Sequence, residues 1–194
     1  MPNPQDEPSV AFHTRAALAM TLPMRWPLTV ALGALVVALS AQFAVPLPFT
    51  PVPMSLQGLA VLLVGGLLGG AAGAGALALY LALGAFGLPV FALGTAGLTK
   101  LLGPTGGYLL AFPFAAALVG RVATRGNLAL CFVAALLGMV AIHAGGLAQL
   151  IILGAPFDRA VTLGSAPFLV IDLLKVVVAT LILSRFHAAL RPRV

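Results

Sequence analysis

Charge is what this sequence has least of. Only 7% of its 194 residues are Asp, Glu, Lys or Arg, against about 25% in an ordinary soluble domain. With 61% apolar residues and a mean hydropathy of +1.15, the chain cannot cover itself with polar surface, so its solvent is lipid. Cysteine is nearly absent. Cys131 stands alone in an apolar run, which excludes an internal disulfide and any multi-cysteine metal site. No HExxH motif or paired acidic metal site occurs. The nearest approach to a P-loop, GTAGLTK at 94–100, lacks the glycine before lysine and follows no strand, so the chain does not itself hydrolyse ATP. Ser40, Ser55, Ser165 and Ser184 sit in no nucleophile motif.

The net charge of +6 and pI near 10.8 would suggest nucleic acid in a soluble protein. Here the basic residues cluster at the ends of apolar runs and read as membrane topology instead. Six apolar stretches are expected to span as helices, at 27–43, 54–68, 71–86, 108–122, 128–153 and 168–186. Arg15, Arg25, Arg121, Arg125, Arg185, Arg191 and Arg193 fall at the termini or in the fourth-to-fifth link, whereas the opposite face has only Lys100 and Arg159. The positive-inside rule then puts both termini in the cytoplasm. Residues 1–24 read as a cytoplasmic arm, partly disordered or lying on the membrane surface, and 25–190 as one transmembrane domain.

Two outer links follow from that topology. VPLPFTPVP at 45–53 carries four prolines, so it is an extended, stiff strip. The glycine-rich link 94–107 can turn sharply and bring backbone N–H groups close to a ligand. Gly65, Gly69 and Gly73 recur at four-residue spacing, which lets helices approach closely. The segment 154–167 reads as a plain link.

One charged pair stands inside a span: Asp172 and Lys175, three apart on one helix face. Each costs about 2.5–3.5 kcal/mol on insertion scales. Mutual neutralisation explains the pair structurally. A polar cavity explains it functionally, because aspartate accepts N–H donors and lysine donates to a carbonyl or carboxylate. Gln57, Tyr80, Lys100, Tyr108 and Gln149 are further candidates by location. His143 reads as an interhelical hydrogen bond before it reads as a ligand group. Ala34 and Ala38, in ALVVA, form a flat contact face for another helix, either within this chain or on a partner.

VPLPFTPVPMSLQG, YLALGAFGLPVF, GLTKLLGPTGGYLLAF and DLLK, spread over 41–179, resemble the BioY family, the biotin-specific S components of energy-coupling-factor (ECF) transporters. The resemblance implies an all-α, six-helix S-component fold with one biotin site near the outer face of a bacterial inner membrane. It implies a transmembrane coupling protein (the T component) and two ABC-type ATPases as partners, with biotin as cargo, no cofactor and no catalysis. It places Asp172 and Lys175 on biotin, with Lys100 as a rival for the carboxylate, and Gln57 in the lid region. It makes Ala34 and Ala38 the contact with the coupling protein. The arm 1–24 has no clear counterpart in the family. Two alternatives stay open: another small vitamin as ligand, or an intramembrane enzyme acting on an acyl or lipid substrate.

Overall fold

The computed structural model describes residues 8–123 and 127–189, with side-chain surroundings from Arg25 onward. Eight α-helices are present among them: α1 (Pro8–Gln42), α2 (Gln57–Leu68), α3 (Gly70–Ala85), α4 (Leu98–Leu102), α5 (Gly106–Val122), α6 (Leu128–Ile152), α7 (Phe157–Gly164) and α8 (Leu169–Ala189). Six of them coincide with the six apolar stretches. The first begins further upstream than its apolar run, at Pro8. Expectations for Arg125, Arg191 and Arg193 lie outside the described residues.

Two links differ from expectation. The glycine-rich link contains α4, and the segment 154–167 contains α7 followed by a 3-10 turn at Ala166–Phe168. Neither is a bare connector. The proline-rich link is not the extended strip that its composition suggested. It turns at Pro48–Phe49, where Thr50 N–H faces Leu47 O at 3.5 Å, and folds back so that its ends pair as a short antiparallel ladder, β1 (Ala44–Val45) with β2 (Met54–Ser55). Proline's fixed φ suits a turn as well as an extended chain.

Three helical stretches are long and apolar enough to cross a membrane: Arg25–Gln42, Leu128–Ile152 and Phe157–Ala189, the last broken at Ser165. The others are shorter. At 1.5 Å per residue, the 12 residues of α2 reach only about 18 Å, against about 30 Å of hydrocarbon.

The burial pattern is that of a protein in lipid. On α8 the exposed face is Leu173, Leu174, Val177, Leu181 and Ile182, while the buried face holds Asp172, Lys175, Val176, Ala179 and Leu183. The charges point in, and Leu173, Leu174 and Leu181 point out. Asp and Lys cost too much against hydrocarbon, so they turn toward the bundle. This is a multi-pass membrane protein.

Small residues set the helix separations. A Cβ on Gly65 would strike the backbone of Ala116 on α5, and one on Gly73 would come within 2.9 Å of Gly65 Cα. The glycine spacing therefore brings α2, α3 and α5 together. Gly106 and Gly107 also serve packing, against Leu101 and Gly145. Ala34 is 2% exposed inside the bundle, and Ala38 packs against the same core. Neighbouring Gly33 faces Ala76 on α3 and Leu68 and Val64 on α2. Gly33 and Ala34 thus pack within the chain while Ala38 stays half-exposed, and Leu32, Leu35, Val36 and Leu39 form the exposed side of α1.

Candidate functional site

One cavity draws on almost every element of the bundle. It gives about 90 Å³ to the centre of a water-sized sphere, and it is walled by the β1–β2 loop, α2, α4, α5, α6, α8 and the loop after α3. Most of its wall is apolar: Val52, Pro53, Met54, Phe91, Phe112, Met139 and Phe168 supply large side chains. The polar groups are few and convergent, a combination suited to a small amphipathic ligand.

The centre of the polar wall is Asp172. Lys175 Nζ donates to Asp172 Oδ1 at 2.7 Å, and both residues are 8% exposed. On α6, His143 Nε2 lies 3.0 Å from Asp172 Oδ2, and its Nδ1 lies 2.9 Å from Ser165 Oγ. Each carboxylate oxygen thus has one protein partner. An ionised carboxylate offers about four lone-pair positions, so acceptor capacity remains for a ligand. His143 is the interhelical hydrogen bond expected of it, and it also lines the cavity.

Gln57 opens α2 and is buried. Its Nε2 donates to Tyr80 Oη at 2.6 Å, and its Oε1 accepts from Ser55 Oγ at 3.1 Å. Tyr80 itself is fully buried behind the wall, outside the cavity lining. It reaches the site only through others, bonding Gln57 and packing against Phe91 (5.5 Å between ring centroids) and Phe112 (6.5 Å). Phe91 is placed by a tight loop whose Phe91 N–H donates to Thr95 O at 3.0 Å, with Leu93 and Gly94 both left-handed. Gly84 leaves the space that its ring fills.

Tyr108 lines the cavity, seated against Gly146, and its hydroxyl donates to Gly164 O at 2.7 Å. It ties α5 to the end of α7, a helix that composition did not reveal. Lys100, on α4, also lines the cavity; it is half-buried, and its ammonium makes no ion pair or hydrogen bond among the described residues. Gln149 is not in the wall. Its Nε2 donates to Leu102 O at 3.1 Å and fastens α6 to α4. Being six residues from His143 on one helix, it faces elsewhere. Among the described residues no group of three or more His, Cys, Asp or Glu converges as a metal site.

Sequence reasoning missed Phe91, Phe112, Met139 and Phe168 as wall residues. Their only signal was being apolar, which most of the chain shares. Ser165 had been weighed only as a nucleophile.

The BioY family model matches residues 13–192. The chain belongs to the BioY family. The match begins within the arm at 1–24, so the second half of that segment has a family counterpart, contrary to expectation. A probable biotin transporter BioY of Pyrococcus horikoshii is 38% identical over 162 residues, covering 81% of this chain and 95% of the relative. The biotin transporter BioY of Thermotoga maritima is 39% identical over 142 residues, covering 73% and 84%. Among solved structures, the S-component for biotin from an ECF-type ABC transporter superimposes with a TM-score of 0.77 at 25% identity, over 87% of this chain and 93% of that one. The BioY chain described here therefore has the S-component fold, and its named relatives are transporters.

Proposed function

We propose that this protein is the biotin-binding S component of an ECF-type importer and acts by binding and releasing biotin without transforming it. The observation that carries the reading is the Asp172–Lys175–His143 cluster in the wall of a mostly apolar cavity. Biotin's ureido ring presents two N–H donors and one carbonyl, and its valerate tail ends in a carboxylate. Asp172 accepts from a ureido N–H. Lys175, already committed to Asp172, turns to the ureido carbonyl. Lys100, which has no partner of its own, takes the carboxylate. Phe91, Phe112 and Met139 hold the bicyclic ring and the aliphatic tail, with Gln57 and Tyr108 fixing the edges of the cavity.

The same reading includes six spanning helices with both termini in the cytoplasm of a bacterial cell, supported by the arginine distribution. It includes energisation by a T component and two ABC-type ATPases, supported by the structural likeness to an ECF S-component. No resident cofactor is required. With Ala34 buried and Ala38 half-exposed, the coupling protein meets α1 at Ala38 and the outward side of the helix.

The test is equilibrium binding of labelled biotin to the purified full chain in detergent, with competition by unlabelled vitamins. Tight one-to-one binding displaced only by biotin supports the assignment. Displacement by another vitamin, or no binding by folded protein, removes biotin as the ligand.

A further inference from the structure

Ser165, His143 and Asp172 form a continuous chain from a helix break into the cavity. Ser165 closes α7, and its backbone is fully committed: its N–H donates to Val161 O and its carbonyl accepts from Phe168 N–H, each at 3.0 Å. Its φ of −127° and ψ of −49° break the helical path between α7 and α8. Only its hydroxyl is free to act, and it sits 2.9 Å from His143 Nδ1. The preceding residue is held as well, since Gly164 O accepts the Tyr108 hydroxyl. The hydroxyl of Ser165 is therefore presented from a fixed corner.

The proton positions follow from chemistry. Asp172, paired with Lys175, is an acceptor, so the proton at the His143–Asp172 contact is on Nε2. A second proton on Nδ1 would make an imidazolium. Lys175 already neutralises Asp172, so that imidazolium would add an unbalanced charge to a buried site within a membrane bundle. Nδ1 therefore accepts, and the hydroxyl of Ser165 donates to it. The second nitrogen's hydrogen bond selects the tautomer.

We infer that His143 and Ser165 are positioning residues: Ser165 holds His143 as the neutral Nε2–H tautomer, and His143 orients the Asp172 carboxylate for the ligand's N–H donor. This rests on the biotin reading for the identity of the ligand, but the proton arrangement does not. Neither residue need touch the ligand to act.

The experiment uses the full chain in detergent, labelled with 15N-histidine, with biotin affinity measured on the same samples. The His143 signal is identified by its loss in His143→Gln. In wild type it should show a protonated Nε2 and an accepting Nδ1, and Ser165→Ala should shift the Nδ1 signal. Glutamine can still donate to Asp172, so His143→Gln should keep biotin affinity within about threefold, whereas His143→Phe should weaken it roughly tenfold and Ser165→Ala about threefold. Ser165→Ala leaves the ring in place and carries the test should the position-143 variants not fold. An imidazolium or an Nδ1–H tautomer in wild type overturns the inference. Equal weakening by Gln and Phe also overturns it, because packing and not the hydrogen bond would then matter. Wild-type protein that shows the Nε2–H signature but binds no biotin retires the biotin reading and leaves the proton arrangement standing.

Discussion

Two lysines line the same cavity, and the protein treats them differently. Lys175 is buried, with its ammonium 2.7 Å from Asp172, whose other oxygen is held by His143. Lys100 stands half-buried on the short helix α4 with no partner among the described residues. A buried pair repays its desolvation only when further hydrogen bonds complete it, and the Asp172 cluster is completed that way. Lys100 keeps access to water until a ligand arrives, so its charge need not be balanced in advance. On the proposed biotin reading, the difference gives the two lysines different work: Lys175 belongs to a prearranged polar wall, and Lys100 is the cation left for the ligand's carboxylate.

Lys175→Ala breaks the comparison most severely. It strips Asp172 of its countercharge inside the bundle, which should cost about 3–5 kcal/mol of stability and on the order of a hundredfold in biotin affinity. Thermal unfolding and labelled-biotin binding read the two losses. Wild-type affinity in this variant would defeat the assignment of Lys175.

Lys100→Ala should behave otherwise. Stability should stay within about 0.5 kcal/mol of wild type, as for a side chain with no partner. Biotin affinity should fall roughly tenfold, the worth of a charge-assisted hydrogen bond of about 1.5 kcal/mol. A melting curve that drops as far as that of Lys175→Ala would erase the distinction.

Tyr80→Phe sharpens the boundary of the site. It removes the acceptor for buried Gln57 while leaving the ring contacts to Phe91 and Phe112. The unpaired amide should cost about 1–3 kcal/mol of stability, with a few-fold loss of biotin affinity through displacement of Gln57. The smallest effect belongs to Gln149→Ala. It loosens α6 from α4 but removes nothing from the cavity wall, so biotin affinity should be unchanged within error of a binding titration.

The sequence made some of this legible and hid the rest for physical reasons. Asp172 and Lys175 stood out because charge inside an apolar run is costly, whatever the fold. Six helices stood out because each coincides with an apolar stretch, although only three of the stretches are long enough to cross a membrane. Tyr80 and Gln149 carried the same kind of signal, a polar group in an apolar run, yet one lies behind the wall and the other faces α4. Only helix rotation and packing decide between those positions, and neither is written in composition. Helix α7 was invisible because its eight residues contain Asp158 and Arg159 and are flanked by glycine and proline, the marks of a loop. Ala34 shows the same limit from the other side. A small residue announces a close helix contact but not whose helix it meets: Ala34 is buried, and the adjacent Gly33 meets α2 and α3 of the same chain.

The most direct test of the division of labour compares biotin with its methyl ester, which keeps the ureido ring and loses the carboxylate charge. Affinity for both ligands should be measured on wild type, Lys100→Ala and Lys175→Ala by the same equilibrium titration. The account predicts that wild type and Lys175→Ala prefer biotin over the ester by the same factor, whereas Lys100→Ala scarcely distinguishes them. If Lys175→Ala loses the preference and Lys100→Ala keeps it, the two lysines have been assigned the wrong way round.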